Sequence, residues 1–158
     1  MSIGRFYAMI GALIRDLASG KYLVLRRSAD KDLGAGQWEC VTGRVDQGES
    51  YPEALHREVM EELGVDVQID FILRTEHFYR GEAKPENEMV GVLYCCSIDN
   101  PESIQTSWEH SEARWVTTDE AAELLPEGHW LLDLIERAET MRALIPAELM
   151  AYYRRSGI

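Results

Sequence analysis

Three glutamates in the segment 58–62 have the spacing of side chains that share one side of a helix. At about 100° per residue, Glu61 and Glu62 lie roughly 60° and 40° on either side of Glu58. Carboxylates within such an arc repel one another unless a cation lies among them. Hard divalent ions such as Mg²⁺ and Mn²⁺ prefer oxygen ligands of this kind. The spacing therefore predicts a divalent metal site on this helix.

The helix that must position these glutamates has recognisable ends. Ser50 is a good N-cap residue, and Glu53 three positions later completes a capping box. Pro52 is tolerated in the first turn, and Gly64 suits the left-handed position that ends a helix. Aliphatic residues at i, i+4 and i+8 predict a buried stripe beside the glutamates: Leu55, Val59 and Leu63. The helix is therefore expected to be fixed to the core.

Apolar runs and turn residues predict the other elements. The predicted strands are 5–14, 21–26, 38–41, 67–79, 89–98 and 115–117, of which the first two form an antiparallel hairpin. The predicted loops are 28–37 and 81–88, and the further helices are 118–125, capped by Thr118, then 129–143 and 146–155. Strands that flank a helix in this order indicate an α/β fold with a mixed sheet between helical layers.

Composition and charge limit the possible functions. The chain has 158 residues, 46% of them hydrophobic, which is enough for one domain over 1–158. Its formal charge of −12 argues against binding to DNA or RNA polymers, though not against a nucleotide whose charge a metal offsets. No apolar run is long enough to span a membrane, and charged residues interrupt the N-terminal segment too often for a signal peptide.

The cysteines indicate the redox setting. Cys40, Cys95 and Cys96 are odd in number and show no CxxC spacing, which argues against a zinc site. Unpaired cysteines are typical of a reducing, cytoplasmic location. Cys95 and Cys96 lie in an apolar run and are predicted to be packed thiols.

The segment 43–65 resembles the Nudix box, the signature of the Nudix hydrolases. That pattern is Gly, five residues, Glu, seven residues, Arg-Glu, an aliphatic residue, any residue, Glu-Glu, any residue, Gly and an aliphatic residue. Every position is filled here, by Gly43, Glu49, Arg57, Glu58, Val59, Glu61, Glu62, Gly64 and Val65. Weaker similarity extends over about 6–125 and implies a Nudix-like α/β/α sandwich with a mixed β-sheet. Residues from about 128 to 158 are left as a helical C-terminal extension, which packs on the domain or forms homodimer contacts.

The resemblance implies a metal-dependent hydrolase that cleaves a diphosphate linkage in a nucleoside diphosphate derivative. It assigns Mg²⁺ or Mn²⁺ to Glu58, Glu61 and Glu62, and also to the backbone carbonyl of Thr42. Such an ion neutralises phosphate charge and activates water.

The resemblance also implies support for these ligands. Arg57 is expected to bind Glu49 through two parallel hydrogen bonds and so to orient the metal ligands, while Gly43 and Gly64 are structural. The family often has Pro-Gly-Gly where this chain has Val41-Thr42-Gly43. The loss of one glycine restricts the backbone there and leaves the geometry of that loop open.

The general base has several candidates. Glu58 is one of them, because a box glutamate can deprotonate water. Family members often use a glutamate from the loop before the last strand, and here Glu109 and Glu112 lie in that position. His110 is also able to accept a proton.

Substrate contacts are predicted from aromatic and basic residues near strand ends. Trp38, Phe78, Tyr79 and Trp108 are able to stack on a base. Arg26, Arg27 and Arg44 are able to bind phosphate. Among these, we select Arg27, Trp38, Arg44 and Tyr79 as the substrate-binding candidates.

The substrate itself stays open at this level. A nucleoside triphosphate or a nucleotide sugar is favoured, and ADP-ribose and dinucleoside polyphosphates are alternatives. A nucleotide-binding sensor without turnover is a second class of function, because a fold alone does not fix function. Isomerisation of an isoprenoid diphosphate is a third, for which Cys40 near the box would be the extra cysteine that this chemistry needs.

Overall fold

A computed structural model describes residues 5–30 and 34–156 of the chain. Its centre is a seven-stranded sheet in the order β3-β2-β1-β6-β5, with β4 paired to β1 and β7 paired to β2. The strands are β1 Tyr7–Asp16, β2 Tyr22–Arg27, β3 Trp38–Glu39, β4 Val41–Arg44, β5 Gln68–Tyr79, β6 Glu88–Ile98 and β7 His110–Val116. Only β1 and β6 run parallel, and the other pairs are antiparallel, so the sheet is mixed as predicted.

Helices cover both faces of the sheet, which confirms the predicted α/β/α sandwich. They are α1 Tyr51–Leu63, α2 Thr118–Leu124, α3 Trp130–Leu144 and α4 Ala147–Ser156. The core on one face contains the α1 residues Leu55, Val59 and Leu63, all fully buried. The core on the other face contains residues of α2 and α3, with Leu131, Leu134 and Ile135 also fully buried.

The helix α1 begins and ends where its sequence predicts. The Ser50 side chain accepts a hydrogen bond from the Glu53 backbone N–H, while the Glu53 carboxylate accepts one from the Ser50 backbone N–H. Gly64 has φ of 67° and ψ of 19°, a left-handed conformation that glycine adopts at little cost. The predicted aliphatic stripe therefore packs on the sheet while the glutamates lie beside it.

Three predicted boundaries were wrong. The predicted strand 38–41 is two short strands, because β3 pairs with β2 and β4 pairs with β1. The last strand begins at His110 rather than at 115, because pairing with β2 orders a polar segment of low strand propensity. Thr117 rather than Thr118 caps α2, and its side chain accepts from the Glu120 backbone N–H. Residues 31–33 of the predicted loop 28–37 lie outside the described residues.

The helices α3 and α4 match the predicted C-terminal helical segment and are attached to β5 through a buried carboxylate. Asp70 is fully buried and accepts hydrogen bonds from Arg142, Arg154 and Ser97. Leu144 and Tyr152 on these helices are exposed. None of the helices among residues 5–30 and 34–156 has the length and apolar character that a bilayer span requires.

Candidate metal and substrate site

The glutamate Glu58 lies against the strand that precedes α1. A Cβ atom added to Gly43 would lie 2.0 Å from the carboxyl carbon of Glu58, so no other residue fits at position 43 without moving this glutamate. Gly43 pairs with Ile10 on the α1 face of the sheet, whereas its neighbours Thr42 and Arg44 pair with Gly11 and Met9. Successive residues of a strand point to opposite faces, so Thr42 and Arg44 point to the other side.

The guanidinium of Arg57 connects the loop before α1 to the helix. Its Nε and Nη2 atoms donate to the two carboxylate oxygens of Glu49, at 2.7 and 2.9 Å. Its Nη1 donates to Glu58 at 2.8 Å, and Nη2 also donates to the carbonyl of Arg44 at 2.9 Å. The two parallel bonds expected between Arg57 and Glu49 are therefore present, and the same group holds Glu58.

The two carboxylates that Arg57 binds have opposite pKa shifts. Hydrogen bonds from Arg57 lower the pKa of Glu49 to about 2. Burial raises the pKa of Glu58, although Arg57 opposes this shift, and the negative charges of Glu61 and Glu109 add to the rise. At Glu58, burial therefore outweighs the effect of the one guanidinium that contacts it.

The other two box glutamates point in different directions. The Glu61 side chain is 60% exposed, and its Oε2 lies 3.6 Å from Arg57 Nη1. Glu62 is buried, and its Oε2 lies 3.8 Å from His110 Nε2. Within the described residues, no three His, Cys, Asp or Glu side chains are arranged so that they could hold a metal ion. For all three glutamates to bind one ion, their side chains must therefore adopt rotamers that point to a common position beside the helix.

A buried charge cluster beside the box was not predicted. Glu39 accepts hydrogen bonds from Arg27 Nη1 at 2.9 Å on both of its oxygens. His110 Nε2 lies 3.1 Å from Glu39 Oε1, and its side chain is 2% exposed. Arg27 and His110 are paired residues on β2 and β7. The signal in the sequence was a glutamate within the apolar run of β3 and β4, because buried carboxylates almost always have partners.

The segment before β7 is held against the end of α1. The backbone N–H of Gln105 donates to the carbonyl of Leu63 at 2.9 Å, and that of Ser107 donates to the carbonyl of Glu62 at 2.7 Å. This attachment places half-buried Glu109 close enough to influence Glu58. Glu112 lies inside β7, opposite Arg26, and its carboxylate contacts Arg114 and Arg26. The structure therefore brings Glu109 to the site and leaves Glu112 outside it.

A cavity of about 590 Å³ extends from the box across the α3 face of the sheet. Its volume is within the range typical of small-molecule sites. The lining near the box includes Arg27, Glu39, Thr42, Gly43, Arg44 and Glu109, and the lining on β5 and α3 includes Arg74, Glu76, Phe78, Arg80 and Trp130. Arg44 and Arg80 have no carboxylate partner among the described residues.

The predicted substrate-binding residues divide into two groups. Arg27 and Arg44 line the cavity. Trp38 instead packs on the core with the Arg114 guanidinium over its ring, and Tyr79 packs edge-on against His77. Phe78, next to Tyr79, lines the cavity. Trp130 also lines it and was not predicted.

The thiol of Cys40 is not presented to the cavity. Its side chain is 1% exposed and packs in the core, and burial raises its pKa well above the usual range. Cys95 and Cys96 are buried as predicted, and all three cysteines are free.

Comparison with known proteins identifies relatives of this chain. The family model described as the NUDIX domain matches residues 8–138. The chain is 30% identical over 109 residues to the nucleoside triphosphatase NudI of Escherichia coli, an alignment that covers 64% of this chain and 76% of NudI.

Solved structures show the same fold. A MutT protein from Methanosarcina mazei superposes with a TM-score of 0.72 at 25% identity, over 90% of this chain and 99% of that one. An Ap4A hydrolase from C. elegans, solved as a binary complex, superposes with a TM-score of 0.69 at 23% identity, over 88% of this chain and 99% of that one.

Proposed function

Because this chain belongs to the Nudix hydrolase family, we propose that it cleaves a diphosphate linkage in nucleoside triphosphates with the help of Mg²⁺ or Mn²⁺. It is a Nudix pyrophosphohydrolase, an enzyme that acts on acid anhydrides. The observation that carries the proposal is that the first residue of the complete box, Gly43, lies in the wall of a cavity that two arginines, Arg27 and Arg44, also line.

The residues at the box fit a hard divalent cation. Glu58, Glu61, Glu62 and the Thr42 carbonyl offer only oxygen donors, which Mg²⁺ and Mn²⁺ prefer. Burial raises the pKa of Glu58, and a nearby cation would favour its charged form. We propose these four groups as the metal ligands. When bound, the ion supplies positive charge to the phosphates and activates water.

The chain itself supplies positioning and proton transfer. Arg57, held by Glu49, keeps the Glu58 carboxylate over Gly43. We propose Glu109 as the residue that takes the proton from water, because it lines the cavity and influences Glu58, with Glu58 itself as the second candidate. Glu112 is not favoured, because its carboxylate is bound by Arg26 and Arg114. Arg27 and Arg44 are proposed to contact the phosphates.

The proposal is tested by measuring phosphate and pyrophosphate release from a nucleotide panel with Mg²⁺. Wild-type protein is expected to hydrolyse at least one nucleoside triphosphate, and Glu62→Gln to reduce kcat by on the order of 100-fold or more. Glu109→Gln is expected to reduce kcat by at least about 100-fold, as loss of a general base does. The matched variant Glu112→Gln keeps the wild-type rate. Equal rates in wild type and Glu62→Gln would refute the proposal.

The substrate panel separates the alternatives. Similarity to a nucleoside triphosphatase favours triphosphates over nucleotide sugars, ADP-ribose and dinucleoside polyphosphates. A sensor without turnover would bind a nucleotide in calorimetry and release no product. Isomerisation of an isoprenoid diphosphate is disfavoured, because Cys40 is packed in the core and does not line the cavity.

The setting and assembly are part of the proposal. Three buried free thiols support a reducing, cytoplasmic location. The partner is a small nucleotide, with no role for a nucleic acid polymer or a membrane. A homodimer stays a prediction, supported by the exposed apolar side chains Leu144 and Tyr152, and sedimentation velocity at several concentrations tests it.

A further inference from the structure

The cavity divides into two halves of different chemistry. The half near the box has charged or polar walls, formed by Arg27, Glu39, Thr42, Arg44 and Glu109. The half near β5 has an apolar floor of Met9, Met89 and Leu93, each at most 6% exposed. Phe78 and Trp130 line this second half, and both rings remain accessible, at 43% and 37% exposure.

Strand register fixes the distance between the two halves. Arg44 pairs with Met9, Met9 pairs with Gly91, and Gly91 pairs with Glu76, so one row crosses β4, β1, β6 and β5. Neighbouring strands lie about 4.8 Å apart, so this row spans about 14 Å. A triphosphate chain is shorter than this row. A ligand that fills the cavity therefore needs a further group beyond its phosphates.

The aromatic half is held in place by contacts between α3 and β5. Arg74 contacts both Glu76 on its own strand and Asp133 in the first turn of α3. Arg137 Nε donates to the carbonyl of Leu73 at 2.8 Å. Trp130 is the first residue of α3, and the His129 ring stacks beside it at 6.0 Å between centroids. These contacts position Trp130 at the cavity before any ligand binds.

We propose that Phe78 and Trp130 form the subsite for the nucleobase, with the Glu76 carboxylate and Arg74 guanidinium at the edge of the base. The inference rests on the proposed function, since it gives a binding site to the base of a nucleotide whose phosphates are proposed to bind at the box. A planar base stacks on aromatic faces, while a second phosphate group has no π-face or apolar face to place against them. Trp130 is thus a specificity-determining residue for nucleotides over phosphate chains that lack a base.

The test is calorimetry with Mg²⁺ and two kinds of probe. One is a panel of α,β-methylene nucleoside triphosphate analogues with different bases, and the other is inorganic tripolyphosphate, which has no base. Trp130→Ala is expected to weaken binding of the preferred analogue by about 5-fold to 150-fold, as the loss of one stacking contact does, and to leave tripolyphosphate binding within about 2-fold. Trp130→Phe restores most of the affinity, and Phe78→Ala repeats the loss.

The controls keep the outcome independent of folding and of turnover. Tyr152→Ala removes an even more exposed aromatic ring from α4, outside the cavity, and its binding of both probes should match wild type. Melting temperatures of all variants identify any that are unfolded. The inference is overturned if no analogue binds more tightly than tripolyphosphate, or if Trp130→Ala weakens both probes equally or neither. Failure of the proposed function would instead appear as analogue binding that depends on Trp130, while the matching natural nucleoside triphosphate is not hydrolysed.

Discussion

Asp70 and Glu58 are carboxylates in two regions of the molecule, and they differ in what neutralises them. At Asp70, two guanidinium groups form ion pairs with one carboxylate. Arg142 Nη2 lies 2.6 Å from one oxygen, and Arg154 Nη2 lies 2.7 Å from the other. At the box, carboxylates outnumber guanidinium groups instead, because the single guanidinium of Arg57 contacts Glu49, Glu58 and Glu61.

The charge balance differs between a cluster that stabilises the fold, at Asp70, and a cluster proposed to act in catalysis, at the box. Asp70 is fully buried and its charge is satisfied by arginines that α3 and α4 supply, so this cluster has no need of an external ion. The single guanidinium of Arg57 contacts three carboxylates at the box, and the Glu61 side chain remains 60% exposed. This excess of negative charge is what the proposed divalent cation would offset. The Asp70 cluster instead attaches the C-terminal helices.

The largest effect is expected from Asp70→Asn. The substitution leaves two arginines without a full negative partner in a buried position, which lowers the free energy of unfolding by about 3–5 kcal/mol. Urea unfolding measures this change. Hydrolysis per folded molecule should not change, because Asp70 does not line the cavity. As a control, Glu82→Gln breaks an exposed pair with Lys84 and costs at most about 1 kcal/mol. A smaller loss in Asp70→Asn than in the control would contradict this view of the cluster.

Added Mg²⁺ is expected to stabilise the box region but not the Asp70 cluster. At a free concentration 100 times its Kd, the ion raises the free energy of unfolding of wild-type protein by about 2.7 kcal/mol. Glu58→Gln should lose most of this increment, because it removes a charged oxygen ligand, and EDTA should abolish it in wild type. Asp70→Asn should keep the whole increment. Melting temperatures with and without Mg²⁺ measure this stabilisation. Equal shifts in wild type and Glu58→Gln would refute the proposal that Glu58 is a metal ligand.

The cluster of Glu39, Arg27 and His110 has a charge balance between that of the Asp70 cluster and that of the box. Its carboxylate is 10% exposed and is bound by one arginine and one histidine. Glu39→Gln leaves Arg27 without its carboxylate and is expected to lower the free energy of unfolding by about 1–3 kcal/mol. Glu112→Gln, which breaks the more exposed pair with Arg26, is the matched control and should cost less than about 1 kcal/mol. Urea unfolding of the two variants gives the comparison, and losses of the same size would contradict a buried role for Glu39.

The sequence predicts the box far better than the cavity. The ends of α1, its aliphatic stripe and the Arg57–Glu49 contact all depend on residues close together in the chain, so spacing and helix geometry suffice for them. Glu39, Arg27 and His110 meet only because β3, β2 and β7 are neighbours in the sheet. Trp130 reaches the cavity only because α3 packs on β5.

The same reason explains which substrate candidates the structure separates. Phe78 and Tyr79 are adjacent and chemically similar, but successive residues of a strand point to opposite faces. Phe78 pairs with Met89 and lines the cavity, whereas Tyr79 pairs with Glu88 and does not. Two bulges in β5 shift its register, so alternation counted along the sequence does not give the face.

The smallest effect is expected from Arg57→Lys, which tests whether one guanidinium is needed to hold several carboxylates of the box. Lysine keeps the positive charge but cannot bind Glu49 through two parallel bonds while also holding Glu58. We expect kcat to fall by about 10-fold and the Mg²⁺ concentration for half-maximal activity to rise, because Glu58 is no longer fixed over Gly43. The free energy of unfolding should change by less than about 1 kcal/mol, since the Glu49 and Arg57 side chains both remain in contact with solvent, at 22% and 27% exposure. Arg26→Lys, whose side chain is 49% exposed and pairs with Glu112, should leave both kinetic values unchanged. If Arg57→Lys retained the wild-type kcat and Mg²⁺ dependence, the guanidinium would contribute only charge, and the geometry of the three contacts would have no part in catalysis.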